Sequence, residues 1–114
     1  MSVDAALQAA LQPLAKPVFP HFYTGDALEY ITTNYTVLPQ VFADRAPGAA
    51  RYLVQVHYFL PHKENPKAML QSISRALFDA SFTWPSIVDA TDREGQHYVL
   101  ECEYADGGGY YGQG

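Results

Sequence analysis

The sequence predicts an α+β domain in which two helices flank a mostly antiparallel sheet of about five strands, in the order α-β-β-β-α-β-β. Three observations lead there. Two stretches repeat apolar residues at spacings of three and four, several others are dense in β-branched and aromatic residues, and Pro, Gly, Asn and Asp fall between them.

The first helix is read from Val3, Ala6, Leu7, Ala10, Leu11 and Leu14, which share one face. Ser2 suits the N-cap and Asp4 the positive end of the helix dipole. Pro13 is expected to stop or kink this helix, because its ring meets the carbonyl of Ala9. Residues 17–24, Pro-Val-Phe-Pro-His-Phe-Tyr-Thr, read as extended, and Pro20 without an amide hydrogen makes them an edge strand or an irregular one. After the Gly25-Asp26 turn, residues 29–38 read as a strand that Pro39 ends or moves to an edge. Residues 43–50, with Pro47-Gly48, read as a connecting loop or hairpin tip.

Arg51–Leu60 is the clearest strand. Tyr52, Val54, Val56, Tyr58 and Leu60 alternate with Leu53, Gln55, His57 and Phe59, giving one apolar and one mixed face. Asn65 as N-cap and Pro66 at the first helical position then open a second helix. Its stripe is Met69, Leu70, Ile73, Leu77 and Ala80, with Gln71, Ser72, Ser74, Arg75 and Asp79 opposite. It is expected to run to about Ser81 and to be closed by Trp84-Pro85. Strands at Ser86–Thr91 and His97–Tyr104 flank the turn Asp92-Arg93-Glu94-Gly95, where Gly95 is available for a positive φ. The strands together read as an antiparallel meander. Residues 1–105 form the single domain, and 106–114 a flexible tail holding five of the eight glycines together with Tyr110 and Tyr111.

Composition narrows the function. With 114 residues, 48% apolar and 17% charged, the chain has core enough for one domain and is not disordered as a whole. Seven Lys and Arg against twelve Asp and Glu, a net −5, argue against binding nucleic acid by counterion release. Cys102 is the one cysteine, so no disulfide framework or multi-cysteine zinc site forms. Met-Ser-Val-Asp-Ala-Ala lacks the basic start of a signal peptide, and no run reaches the roughly 18 apolar residues of a membrane span, so a soluble intracellular protein is expected.

No catalytic, cofactor-binding or metal-binding residues are assigned. His21, His57, His62 and His97 show no ligand spacing, although His57 and His97 lie on strands that can face each other. Cys102 shares its phase with Tyr98 and Leu100 and reads as a buried thiol rather than a nucleophile. Asp89, Asp92 and Glu94 read as a solvated acidic turn. Gly107-Gly108-Gly109 opens no helix and is not a phosphate loop. An enzyme is therefore not expected. The aromatic content, 14%, exceeds what one small core needs, and aromatic surface with few charges suits an assembling subunit. Candidate interface residues are Phe19, Phe22, Tyr23, Phe42, Asp44, Arg45, Arg51, Tyr110 and Tyr111.

One resemblance adds to this. The helix Asp4-Ala-Ala-Leu-Gln-Ala-Ala-Leu-Gln-Pro-Leu leads into Pro17-Val-Phe, then Glu29-Tyr-Ile-Thr-Thr-Asn-Tyr, then Tyr52-Leu-Val-Gln-Val-His-Tyr-Phe. A helix, Phe82-Thr and a hairpin ending Glu101-Cys-Glu-Tyr follow. Over residues 3–104 this order resembles the small tail-completion and tail-terminator proteins of long-tailed, siphovirus-type phages and prophages. The resemblance implies a mixed sheet flanked by helices and a homo-oligomer, a hexameric ring, that caps the tail tube and joins it to the head. Tail-tube and head-connector proteins would be its partners, with no cofactor and no membrane. It would reside in the host bacterial cytoplasm during assembly and then in the virion tail. The alternative is a small nucleic-acid or protein binding module, since helix, three strands, helix also opens the double-stranded RNA-binding fold. A metal- or thiol-dependent enzyme using His57, His97 or Cys102 is a third reading. Removing residues 106–114 is expected to leave folding intact, and a thermal midpoint moved by more than a few degrees would refute that boundary.

Overall fold

Alternation along one long strand organises the molecule. The computed structural model describes residues 1–38 and 50–106. Its elements run α1 (Val3–Leu11), a 3₁₀ turn (Gln12–Leu14), β1 (Val18–Pro20), β2 (Tyr30–Val37), β3 (Ala50–Leu60), α2 (Lys67–Asp79), β4 (Ser86–Asp89) and β5 (Gln96–Asp106). The five strands form one sheet in the order β1-β2-β3-β5-β4. The class is α+β, as the sequence predicts.

Val54, Val56, Tyr58 and Leu60 of β3 all point to one side and are buried. They stand in register with Ile31 of β2 and with Leu100 and Cys102 of β5, which are buried too. Both helices cover this side. Helix α1 contributes Val3, Ala6, Leu7, Ala10 and Leu11 and α2 contributes Ile73 and Leu77. Burying side chains of this size is worth roughly 1.5–3 kcal/mol each, which sets the sheet's register against slippage. The N-terminus is tied down at three points. Ser2 accepts from the Ala5 amide, Tyr35 donates to Asp4 at 2.8 Å, and Tyr104 donates to the Met1 carbonyl at 2.9 Å.

Several expectations are corrected. The strands are not a pure meander, because β1 pairs parallel to β2 and β5 inserts between β3 and β4. The crossover through α2 carries the chain past the position next to β3, and the hairpin then returns into it. Helix α1 stops at Leu11 and tightens into the 3₁₀ turn, since Pro13 has no hydrogen to offer Ala9. Ala15, at φ 61°, closes that turn. Asn65 does accept from the Lys67 amide at 3.0 Å, although the first backbone acceptor of α2 is Pro66.

At its other end α2 finishes at Asp79, well before Trp84-Pro85. Ser81 adopts φ 76°, so the Phe82 amide reaches the Leu77 carbonyl and the Ser81 amide that of Phe78. This is a Schellman stop, with buried Phe82 packing at the helix end. Trp84 is left half exposed on the outside, edge-on to Phe78 and beneath the Arg75 guanidinium. Ser74, expected on the polar face of α2, is buried beside Ile73 and Leu77, and its small size suits the meeting with the alanine-rich α1.

In the final hairpin β4 ends at Asp89 rather than Thr91. Asp89 and Asp92 fold back onto the amides of Thr91 and Glu94 as Asx turns. Gly95 serves through its lack of a side chain rather than a positive φ, since a Cβ there would lie 3.1 Å from the Leu60 carbonyl oxygen. Strand β5 runs through Asp106, one residue into the stretch read as tail. The predicted loop over 43–50 lies outside the described residues but for Ala50, which opens β3.

Ser81 holds a left-handed conformation that costs an L-residue roughly 1–2 kcal/mol. Ser81→Gly relieves this and gives back part of it as unfolded-chain entropy. The expected result is a gain of about 0.5–1 kcal/mol, a thermal midpoint higher by roughly 2–6 °C. Calorimetry checks it, and a lower midpoint would mean that the serine side chain supports the stop.

Candidate functional site

The sheet face away from the helices is the candidate site. No helix among the described residues covers it, and it gathers aromatic side chains. Of the thirteen aromatic residues described, Tyr58, Phe82 and Tyr104 are buried and Tyr35, Tyr52 and Tyr98 pack against the core, which leaves the other seven outside it.

Register builds the site. Tyr30, Phe59 and His97 face one another across β2, β3 and β5. Tyr30 and Phe59 stack at 4.6 Å between ring centroids, and Phe59 and His97 at 4.2 Å. Tyr23 extends the row, 4.7 Å from Tyr30, and Phe19 of β1 lies 4.9 Å beyond. Such cross-strand aromatic pairs add about 0.5–1.5 kcal/mol each beyond their buried area. Tyr23 is locked by its hydroxyl, which accepts from the Ala27 amide at 2.9 Å. Gly25 makes this possible, because a Cβ there would lie 2.1 Å from that hydroxyl oxygen.

Beside the row is an open cleft of about 500 Å³ at one end of the sheet. Ala27, Leu28, Tyr30, Phe59, Pro61 and His97 line it, and Asp92 and Glu94 bring carboxylates to it. Leu28 is 75% exposed and Phe22 71%, both large for solvent-facing apolar residues. The cleft is held by two anchors, buried Gln96 and part-buried Glu29. The Gln96 amide nitrogen lies within reach of the carbonyls of Pro61, His62 and Glu64, and its oxygen accepts from Tyr98. Glu29 accepts from Lys16 at 2.9 Å and from the Tyr58 hydroxyl. Burial pushes the Glu29 carboxyl up, but those two hydrogen bonds and the Lys16 charge outweigh it and leave it below its ordinary value. Tyr58 is pushed well up by burial and by Glu29.

Further along the same face the character turns polar. Gln55 donates to Glu101 at 3.2 Å, and Arg51 pairs with Glu103. Between the two ends His57 and His97 do meet, as their strand positions allow. His57 Nδ1 lies 2.8 Å from His97 Nε2, and Asn34 Nδ2 lies 3.1 Å from His57 Nε2. With the Asn34 amide donating, His57 holds its hydrogen on Nδ1 and His97 accepts, so the chain is complete with both rings neutral. Among the described residues no three His, Cys, Asp or Glu side chains converge as metal ligands. Cys102 points to the helix side, away from both histidines, and is buried there. Burial and its neighbours Glu101 and Glu103 push its thiol up to about 12, far from a reactive thiolate at neutral pH.

The interface residues expected from sequence thus divide. Phe19 and Tyr23 join the row, and Phe22 stands exposed between them in sequence. Arg51 belongs to the opposite end and is engaged by Glu103. Phe42, Asp44, Arg45, Tyr110 and Tyr111 lie outside the described residues. Tyr30, Phe59, His97 and Leu28 were not in that set. Their signal was present for three of them, since each sits on the mixed phase of its strand. Neither models of known protein families nor curated proteins match the chain. Among the described residues no helix is long and apolar enough to cross a membrane.

The histidine pair makes stability depend on pH. Burial lowers His57, and nearby His97 lowers it further; burial also lowers His97, against an opposing effect of Asp92. Both rings are therefore harder to protonate folded than unfolded. As pH falls below about 6.5 the unfolded chain takes up protons first, and stability declines until the folded rings titrate. Denaturant unfolding at pH 7.5 and 5.5 is expected to show a lower midpoint at pH 5.5, a difference reduced in His57→Gln. Equal midpoints in the parent protein would refute the pairing.

Proposed function

We propose that the protein is a structural subunit that works by assembling with copies of itself, with the aromatic sheet face that no described helix covers, and its flanking edge, as contact surface. The row Phe19, Tyr23, Tyr30, Phe59 and His97 carries this reading, because it lies outside the core yet is packed, fixed and apolar. Exposed Phe22 and Leu28 beside it, and the low overall charge, point the same way. The likeness of the element order and of the Tyr-Ile-Thr-Thr-Asn-Tyr and Val-Gln-Val-His-Tyr-Phe segments to phage tail proteins supports a finer reading. On it, the subunit forms a ring, hexameric in the expected case, that caps or completes the tail tube and contributes to head–tail joining. Its partners are then the tail-tube and head-connector proteins, and its places are the host cytoplasm and the virion tail.

A ring needs heterologous contacts, two different patches per subunit related by a closing rotation. The two ends of the open face differ in the required way, one aromatic and one built of the Arg51–Glu103 and Gln55–Glu101 pairs. Glu101 and Glu103 on this face, with Arg51 already paired, disfavour a phosphate backbone as the ligand.

Size-exclusion chromatography with light scattering over a concentration series, alone and with tail-tube protein, is the test. Mass is expected to rise to a defined oligomer, on tube ends if not in free solution. Phe22→Ser, at an exposed site whose loss costs the fold about 0.5 kcal/mol or less, is expected to weaken assembly while preserving the thermal midpoint. A strict monomer that also ignores tube ends would overturn the proposal.

A further inference from the structure

We propose that the C-terminal segment of one copy, through Tyr110 and Tyr111, seats in the aromatic cleft of the next. The inference rests on the assembly reading and names the segment that makes the contact. The cleft suits a phenol. Tyr30, Phe59 and His97, stacked on one another, present ring edges to which the face of an incoming ring can pack, Leu28 and Pro61 supply apolar contact, and Asp92 and Glu94 supply acceptors for a hydroxyl. Neither carboxylate is in an ion pair among the described residues. A tyrosine has the matching form, an apolar ring with one donor at its tip. The end of the chain reads Gly107-Gly-Gly-Tyr110-Tyr111-Gly-Gln-Gly114, two tyrosines set among glycines that let the backbone come close to a surface.

Reach decides between a copy's own cleft and a neighbour's. Strand β5 begins at the cleft, with Gln96 opposite Leu60, and ends at Asp106 opposite Ala50. His97 and Asp106 are nine residues apart on it, about 30 Å at strand spacing. Tyr111 lies five residues past Asp106, so its Cα can travel at most about 18 Å from there, even fully extended. A chain doubling back over its own sheet covers less. The tyrosines therefore cannot reach their own cleft, and the described chain leaves the sheet at Asp106, at the end of β5 away from that cleft. Donor and acceptor at opposite ends of one strand define a head-to-tail contact, which closes as a ring or propagates as a filament.

The test uses the full chain with a benzoylphenylalanine at position 111, mixed as ¹⁵N-labelled and unlabelled copies and irradiated. Mixed-isotope dimers cross-linked at Leu28, Tyr30, Phe59 or Pro61 are expected. Leu28→Glu, at a site 75% exposed and so harmless to the fold, is expected to cut the cross-link yield at least tenfold. Tyr110→Ala/Tyr111→Ala in the otherwise native chain is expected to weaken self-association by a similar factor. No cross-link, cross-links within single chains, or cross-links elsewhere on the surface would overturn the proposal. Rings that form undiminished in the double-tyrosine variant would overturn it while leaving assembly standing. Cross-links into the cleft from a protein that forms neither a closed oligomer nor a complex with tube ends would keep the tail contact and remove the ring.

Discussion

The two-residue repeat of β3 governs everything around it. Because successive side chains alternate, a strand that sends Val54, Val56, Tyr58 and Leu60 into the helices must send Leu53, Gln55, His57 and Phe59 the other way. Strands β2 and β5 pair with it along nearly their whole length, so the same division passes across the sheet. Shifting either neighbour by one residue would expose the core set and bury polar side chains. The hydrophobic core and the aromatic row are therefore not independent features. The register that fixes one also fixes the other, and both described helices lie on the core side.

The aromatic end of that face is held from behind. Glu29, just before Tyr30, is gripped by Tyr58 from the core side and Lys16 from the segment after α1. Gln96, just before His97, ties the turn after β3 to the start of β5 through the carbonyls of Pro61, His62 and Glu64. Gly25 lets Tyr23 fold back over its own loop. Rings fixed in this way lose little further freedom when something packs on them, which lowers the entropic cost of a contact. The histidine chain with Asn34 brings a polar, pH-sensitive link into the middle of the same surface.

Much of this was legible in the sequence, for reasons that differ by element. The α+β class, both helices and the long strand follow from periodicity, and Ser2 and Asn65 act at helix starts as their chemistry suggests. What escaped were features set by partners distant in sequence. The parallel pairing of β1 with β2 and the insertion of β5 beside β3 are set by which strands meet in the sheet, of which local composition carries no trace. The end of α2 near Ser81 was legible, but its cause, assigned to Trp84-Pro85, was not, because a serine occupies a position where glycine would have announced a left-handed stop. Ser74 reads as polar but is buried because small size outweighed its hydroxyl at a helix crossing. For the site, Phe19 and Tyr23 stood out as aromatic residues near a broken edge. Tyr30, Phe59 and His97 were masked by sitting in strands, where aromatic residues are ordinary until the register shows that they share a row.

The stop at Ser81 has a consequence for how the molecule reports on itself. By turning the chain out of α2 it leaves Trp84, the one tryptophan, on the outer surface against Phe78 and Arg75. Emission excited at the red edge of the protein band comes from that indole alone, with a cation close enough to tune its wavelength. The signal thus follows the last turn of α2 and the start of β4, while the aromatic row on the other face of the sheet stays dark. An early change in tryptophan emission on heating would register fraying of the helix end ahead of global unfolding, and tyrosine-based probes would follow the sheet separately.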